Sequence, residues 1–142
     1  MKIVLVSHGR FSEGLMDGIQ MLLGPQEDLQ AFVLLPTEPA TALGERLEAA
    51  FEPADEGNVI YFTDLYFGSP FNQVVELSRK HDIYHVTGTN LPVLLEALMA
   101  RNGGDTCEEV VKVAIAAAEG SVKDVRELLA AQASENEEEE EW

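Results

Sequence analysis

Met1-Lys-Ile-Val-Leu-Val-Ser-His-Gly-Arg10 is the stretch that decides the fold. Ile3 to Val6 is apolar without interruption and carries β-branched residues, as a strand covered on both faces of a parallel sheet requires. It stops at Ser7-His8-Gly9. An amphipathic pattern begins soon after, with Ser12 placed to cap a helix. Leu15, Ile19, Leu22 and Leu23 recur on one helical face, and Gly24-Pro25 ends it. A strand that ends in a short loop and feeds a helix is a good place to hold a reactive group. Here that group is His8. A lone histidine in a loop is more often just solvated or hydrogen-bonded, so the rest of the chain has to argue for it.

The same unit repeats along the chain. Ala31 to Leu35 reads as a second strand, and Pro36, Thr37 and Pro39 turn it into a helix over roughly 40–51. Val59 to Thr63 is the most β-prone run. It ends in Asp64-Leu-Tyr-Phe-Gly-Ser69-Pro70, where Ser69 as N-cap and Pro70 as the first helical residue start a third helix. Ile83 to Thr87 is a fourth strand, followed by Gly88-Thr-Asn90 and a helix capped by Asn90. Thr106-x-x-Glu109 is a capping box for a fifth helix, which stops at Gly120. Ser121 to Ala131 reads two ways: its apolar spacing is helical, yet after a glycine stop it could form a short edge strand. From Gln132 the chain is polar and acidic and reads as a disordered tail. The expected division is one domain over 1–131 and a tail over 132–142.

Strands alternate with helices four times, which predicts an α/β fold: an open doubly wound parallel sheet with helices on both faces. Right-handed crossovers favour the strand order 2-1-3-4, with a fifth element beyond strand 4.

Composition narrows the function. The formal net charge is −17, from 9 Lys and Arg against 26 Asp and Glu. Six acids crowd the last eight residues, but the body is strongly acidic without them. Nucleic acid and anionic membrane surfaces are therefore poor ligands, whereas a basic protein partner remains open. No apolar run is long enough to span a membrane and no secretory leader is visible. The single cysteine, Cys107, falls on a helix's apolar side and suits a reducing cytoplasm.

In a sheet of this order the ligand site lies at the carboxyl ends of the strands, where the order switches between strands 1 and 3. Ser7-His8-Gly9 and Asp64 meet there, with Gly68-Ser69 just beyond and Gly88-Thr89-Asn90 alongside. Asp64 can bond one ring nitrogen of His8, fix the tautomer and leave the other as a nucleophile. The start of the third helix at Gly68 and Ser69 can cradle an anion. A nucleophilic histidine beside an anion cradle suits phosphoryl transfer. Asp64 could instead merely cap its loop.

Other chemistries fit less well. The Walker A and G-x-G-x-x-G patterns are absent, as is a G-x-S-x-G elbow. A histidine phosphatase would need Arg-His-Gly after strand 1 and further His or Arg on the strand ends. A receiver module would place an acidic pair where Ser7-His8 stands, although Asp64 occupies its acceptor position. His81, at a helix end, and His85, within strand 4, lie away from the crevice. Neither a metal nor a cofactor is expected.

Three motifs, in order, resemble a known family: Val6-Ser-His-Gly with Ser12-Glu-Gly-Leu15; Thr63-Asp-Leu-Tyr-Phe-Gly-Ser-Pro-Phe-Asn72; and Gly88-Thr-Asn-Leu-Pro-Val-Leu-Leu-Glu96. Over about residues 1–130 the chain resembles the IIA component of the mannose/fructose family of the bacterial phosphoenolpyruvate-dependent sugar phosphotransferase system. The resemblance implies a cytoplasmic phosphotransferase, peripheral to a membrane transporter complex. The carrier protein HPr would phosphorylate His8. His8 would pass the group to a IIB component, and the membrane components IIC and IID would take up the sugar. Asp64 would orient His8, and Gly9, Gly68 and Ser69 would bind phosphate. The resemblance also implies a homodimer that exchanges an antiparallel edge strand, which would make 121–128 a swapped strand. The family often has two glycines before the Ser-Pro pair; here one of them is Phe67.

Overall fold

The computed structural model describes residues 1–140. Four strands, β1 (Lys2–His8), β2 (Leu29–Leu34), β3 (Val59–Thr63) and β4 (Tyr84–Thr87), alternate with α1 (Phe11–Leu23), α2 (Ala40–Ala50), α3 (Ser69–Ser78) and α4 (Leu91–Asn102). Two further helices follow, α5 (Cys107–Ala118) and α6 (Val125–Glu140). All strand pairs are parallel and the order is β2-β1-β3-β4, as the sequence predicts.

The period-2 alternation of a strand divides the core in two. Ile3 and Leu5 of β1 and Ile60 and Phe62 of β3 face Ile19, Leu94, Leu98 and Val110, which puts α1, α4 and α5 on one side. Val4, Val6, Val59 and Tyr61 face Leu43, Leu47, Val74 and Leu77, which puts α2 and α3 on the other. β1 from Ile3 to Val6 and β3 from Val59 to Phe62 are thus apolar without interruption because both of their faces are covered.

Local signals account for the helix ends. Asn90 caps α4 by accepting from the amide of Val93 at 3.0 Å. Thr106 and Glu109 form the expected reciprocal box at the start of α5. Two starts differ from expectation. Ser12 lies inside α1, which begins at Phe11. Its amide donates to the Ser7 hydroxyl at 2.7 Å and its own hydroxyl donates to the Phe32 carbonyl at 2.8 Å. A side chain from the preceding strand therefore satisfies the amide that a local cap would take. Ser69 is the first residue of α3 rather than its cap; Gly68 holds the cap position.

The largest difference is at the end of the chain. Residues 125–140 form α6, not a swapped edge strand followed by a disordered tail, and among the described residues there is no fifth strand. Asp124 supplies the helix start, accepting from the amide of Glu127 at 3.3 Å. The Arg, Glu, Leu, Ala and Gln residues that follow are strong helix formers. α6 buries none of its residues. The rest of the expected tail, Glu141 and Trp142, lies outside the described residues.

His81 ties the far side of the sheet together. Its ring nitrogens donate to Glu56 at 2.6 Å and Glu48 at 2.9 Å, and the ring stacks on Phe51 at 3.9 Å. The bond to Glu48, then that to Glu56, raises its pKa above the ordinary 6.5. The bond from His81, and then one from the Asp82 amide, lowers Glu56 below 4.5. A raised histidine stabilises fully below its unfolded pKa, and the effect fades as pH rises through the folded value. A lowered carboxylate stabilises above its unfolded pKa and fails as pH falls. His81→Gln is therefore expected to lower the urea midpoint most between about pH 4.5 and 6.5. The deficit should shrink on either side; a deficit that grows toward pH 9 contradicts the assignment.

Candidate active site at the carboxyl ends of β1 and β3

β1 pairs with β3 so that Val6 lies beside Thr63. The residues just past this pair, His8 and Asp64, therefore emerge together at the sheet's carboxyl edge. Asp64 Oδ2 accepts two hydrogen bonds from His8, one from the backbone amide at 3.0 Å and one from ring Nδ1 at 2.9 Å. An ionised carboxylate can only accept, so Nδ1 carries the proton and Nε2 presents a free lone pair. The His8 side chain is 46% exposed, whereas that of Asp64 is 14% exposed. The carboxylate is thus sheltered and the imidazole is reachable. No lysine or arginine pairs with Asp64 among the described ion pairs, and its Oδ1 is buried without a protein partner.

Gly68 brings the start of α3 against the ring. A Cβ at this position would lie 2.6 Å from His8 Cε1 and 3.3 Å from Nε2. Its backbone is ordinary (φ −75°), so the glycine is required by space, not by torsion. The free ring nitrogen therefore sits beside the positive end of α3. The amides of Ser69 and Phe71 lie in the first turn, where no helix carbonyl reaches them. Together with the Ser69 hydroxyl they are donors of the kind that can cradle an anion at a helix start.

The amides of Gly68 and Gly9 are otherwise engaged. Gly68 donates to Leu65 at 3.1 Å and Gly9 to the Leu34 carbonyl at 2.8 Å. Neither glycine amide can therefore meet an anion without first giving up its carbonyl partner. Gly9 has φ +52°, the left-handed turn that takes the chain from β1 into α1.

A layer of hydroxyls fixes the strand ends. Thr89 donates to the Thr63 carbonyl through its hydroxyl at 3.0 Å and its amide at 3.2 Å. The Thr63 hydroxyl donates to Thr87 and accepts from His85 Nε2, both at 2.8 Å. His85 is thus directly beneath the crevice rather than remote from it. Burial pushes its pKa down to about 4, which keeps it neutral. The alternation of His85 and Thr87 in β4 was the available signal, but its pairing with Thr63 of β3 depends on register. Among the described residues, no group of three or more His, Cys, Asp or Glu side chains gathers to hold a metal ion. No described helix is long and apolar enough to cross a membrane.

Comparison with known proteins agrees with the geometry. The family described as "PTS system fructose IIA component" matches residues 2–115. The chain is 34% identical over 123 residues to the "PTS system mannose-specific EIIAB component" of Escherichia coli (strain K12). The match takes in 85% of this chain but only 38% of that relative. It is 29% identical to the "PTS system sorbose-specific EIIA component" of Lacticaseibacillus casei, over 72% of this chain and 75% of that one. Among solved structures it is similar to "phosphotransferase system component EIIA from Streptococcus agalactiae", with a TM-score of 0.79 at 26% identity, covering 88% and 97% of the two chains.

Proposed function

The chain belongs to the family of PTS system fructose IIA components, and from that premise we propose that it is a phosphoryl carrier in bacterial sugar uptake. His8 takes the phosphoryl group from phospho-HPr and passes it to a IIB component, which serves the membrane components IIC and IID. Residues 1–131 make up the carrier unit. It works in the cytoplasm, beside the transporter, as a homodimer.

One observation carries the reading: the 2.9 Å contact between His8 Nδ1 and Asp64, which in the neutral imidazole leaves the free lone pair on Nε2. In the transfer, the Nε2 lone pair forms a bond to phosphorus while the bond from phosphorus to the donor's nitrogen breaks. That electron pair returns to the donor ring. His8 gains positive charge, which Asp64 offsets, and the Ser69 and Phe71 amides hold the phosphoryl oxygens. The transition state is loose, so positioning and charge stabilisation carry the catalysis.

The two competing classes are not favoured. A receiver-like module would phosphorylate Asp64, yet its Oδ2 already accepts twice from His8 and its Oδ1 is buried. A phosphatase would need further cations at the strand ends.

The test is reconstitution with phosphoenolpyruvate, enzyme I and HPr. One acid-labile phosphoryl group per chain is expected, transferable to IIB. Release of free phosphate from small phosphoesters without HPr points to a phosphatase. Labelling by small phosphodonors alone points to a receiver.

A further inference from the structure

Thr63 is fully buried, and with His85 and Thr87 it forms a polar patch on the side of the sheet where β1 and β3 otherwise present Val4, Val6, Val59 and Tyr61. Placing a hydroxyl and an imidazole there carries a desolvation cost that apolar side chains would avoid. Hydrogen bonds supply what apolar contacts lack: a direction, and hence one fixed arrangement of the groups they join. The groups joined here belong to both halves of the site.

Two contacts of His85 make the connection. Its Nε2 donates to the Thr63 hydroxyl at 2.8 Å, and Thr63 immediately precedes Asp64, the carboxylate that holds the His8 ring. Its ring packs 5.1 Å from that of Phe71, tilted by 40°, and Phe71 lies in the first turn of α3. The residue before that turn is Gly68, whose missing side chain lets the backbone close on His8. One side chain thus touches both the strand end that orients the nucleophile and the helix turn that abuts it. Burial keeps the imidazole of His85 neutral, so it donates from one nitrogen throughout the neutral range.

We propose that His85 is a positioning residue for phosphoryl transfer: through Thr63 and Phe71 it sets the spacing between the His8–Asp64 pair and the start of α3. The inference rests on the carrier function proposed above. Such spacing governs the rate, because a loose transition state is stabilised by donors and charges already in place. A misplacement of about 1 Å can cost about 10²-fold. His85 lies beneath the crevice and not on its rim, so its effect falls on turnover and not on docking.

The test is phosphorylation by phospho-HPr of His85→Leu, His85→Gln and Thr63→Val variants of the full chain, with NMR of the imidazole nitrogens. His85→Leu keeps an apolar side chain under Phe71 but donates nothing to Thr63. Its kcat should fall about tenfold while KM changes less than about twofold. A glutamine amide can donate to Thr63 as Nε2 does, so His85→Gln should return kcat to within about threefold of the wild type's. Thr63→Val should match His85→Leu, and the double variant should be no slower than either. The His8 ring should pass from a single Nδ1-protonated tautomer to a mixture in His85→Leu, which lost stability alone does not produce below the thermal midpoint. A wild-type kcat in His85→Leu overturns the proposal. So do additive losses in the double variant, a glutamine no better than leucine, or an unchanged His8 tautomer. Should His85→Leu fail to fold, the other two single variants decide: a slow Thr63→Val beside a fast His85→Gln upholds the proposal, and any other pairing overturns it. Failure of the carrier function itself looks different, since wild-type protein would then take no label from phospho-HPr at all.

Discussion

His8→Ala is expected to take no phosphoryl group from phospho-HPr, with a loss of at least ~10³-fold in rate. The prediction is strong because no other histidine can substitute. Both ring nitrogens of His81 are bound to carboxylates, at 2.6 and 2.9 Å. His85 is largely buried, and its Nε2 donates to Thr63. Of the three histidines, only His8 combines an exposed ring with a ring nitrogen that has no hydrogen-bond partner and lies at the strand ends. The fold should survive, since the backbone amide of residue 8 still donates to Asp64. The loss of one partly exposed hydrogen bond should lower stability by about 1 kcal/mol. Intact-mass measurement at neutral pH, before and after acid treatment, reads the label directly, and urea unfolding reads the stability. A stable His8→Ala chain that still gains an acid-labile phosphoryl group would place the chemistry on another residue.

How much of this was legible in the sequence depended on how local each signal was. β1 and β3 are continuous apolar runs, and a strand covered on both faces leaves just that trace. Their positions, with right-handed crossovers, gave the order and brought His8 to Asp64. Ser12 was misread because a serine before an amphipathic run looks like a cap. The actual acceptor, Ser7 Oγ, sits inside a strand, where serine carries no such signal. The pairing of His85 with Thr63 depends on strand register, which a single strand does not encode. The left-handed torsion of Phe67 left no trace, because an aromatic residue is the last one expected there. The case of α6 is different. Asp124 and the helix formers after it were present in the sequence, but the strand expectation came from family resemblance and overrode them. Helices form from local signals, whereas a strand needs a neighbouring edge.

The second large effect is expected at Asp64. Asp64→Asn should still be phosphorylated on His8, but about 10² to 10³ times more slowly at saturating phospho-HPr. Asparagine nearly matches the carboxylate in size, and its carbonyl oxygen can still accept from both the amide and Nδ1 of His8. Turning its NH2 group toward Nδ1 would protonate Nε2 instead and abolish nucleophilicity. That flip is opposed by the His8 amide, which would lose its acceptor. The tautomer therefore survives in most molecules and the substitution isolates charge. As Nε2 bonds to phosphorus the ring becomes cationic, and the carboxylate sits 2.9 Å from Nδ1, is only 14% exposed and pairs with no lysine or arginine among the described residues. Its charge is thus directed at the ring, in a place where water screens it weakly. The rate loss corresponds to about 3 to 4 kcal/mol of transition-state stabilisation, while the urea midpoint should fall only by the equivalent of about 1 kcal/mol. KM should be nearly unchanged, since the group touches no partner. Rapid-quench time courses with phospho-HPr separate these quantities. A wild-type rate in Asp64→Asn would reduce Asp64 to a cap on the His8 loop. An equal loss in kcat and in folding stability would mean that the carboxylate holds the loop together rather than stabilising the charged ring.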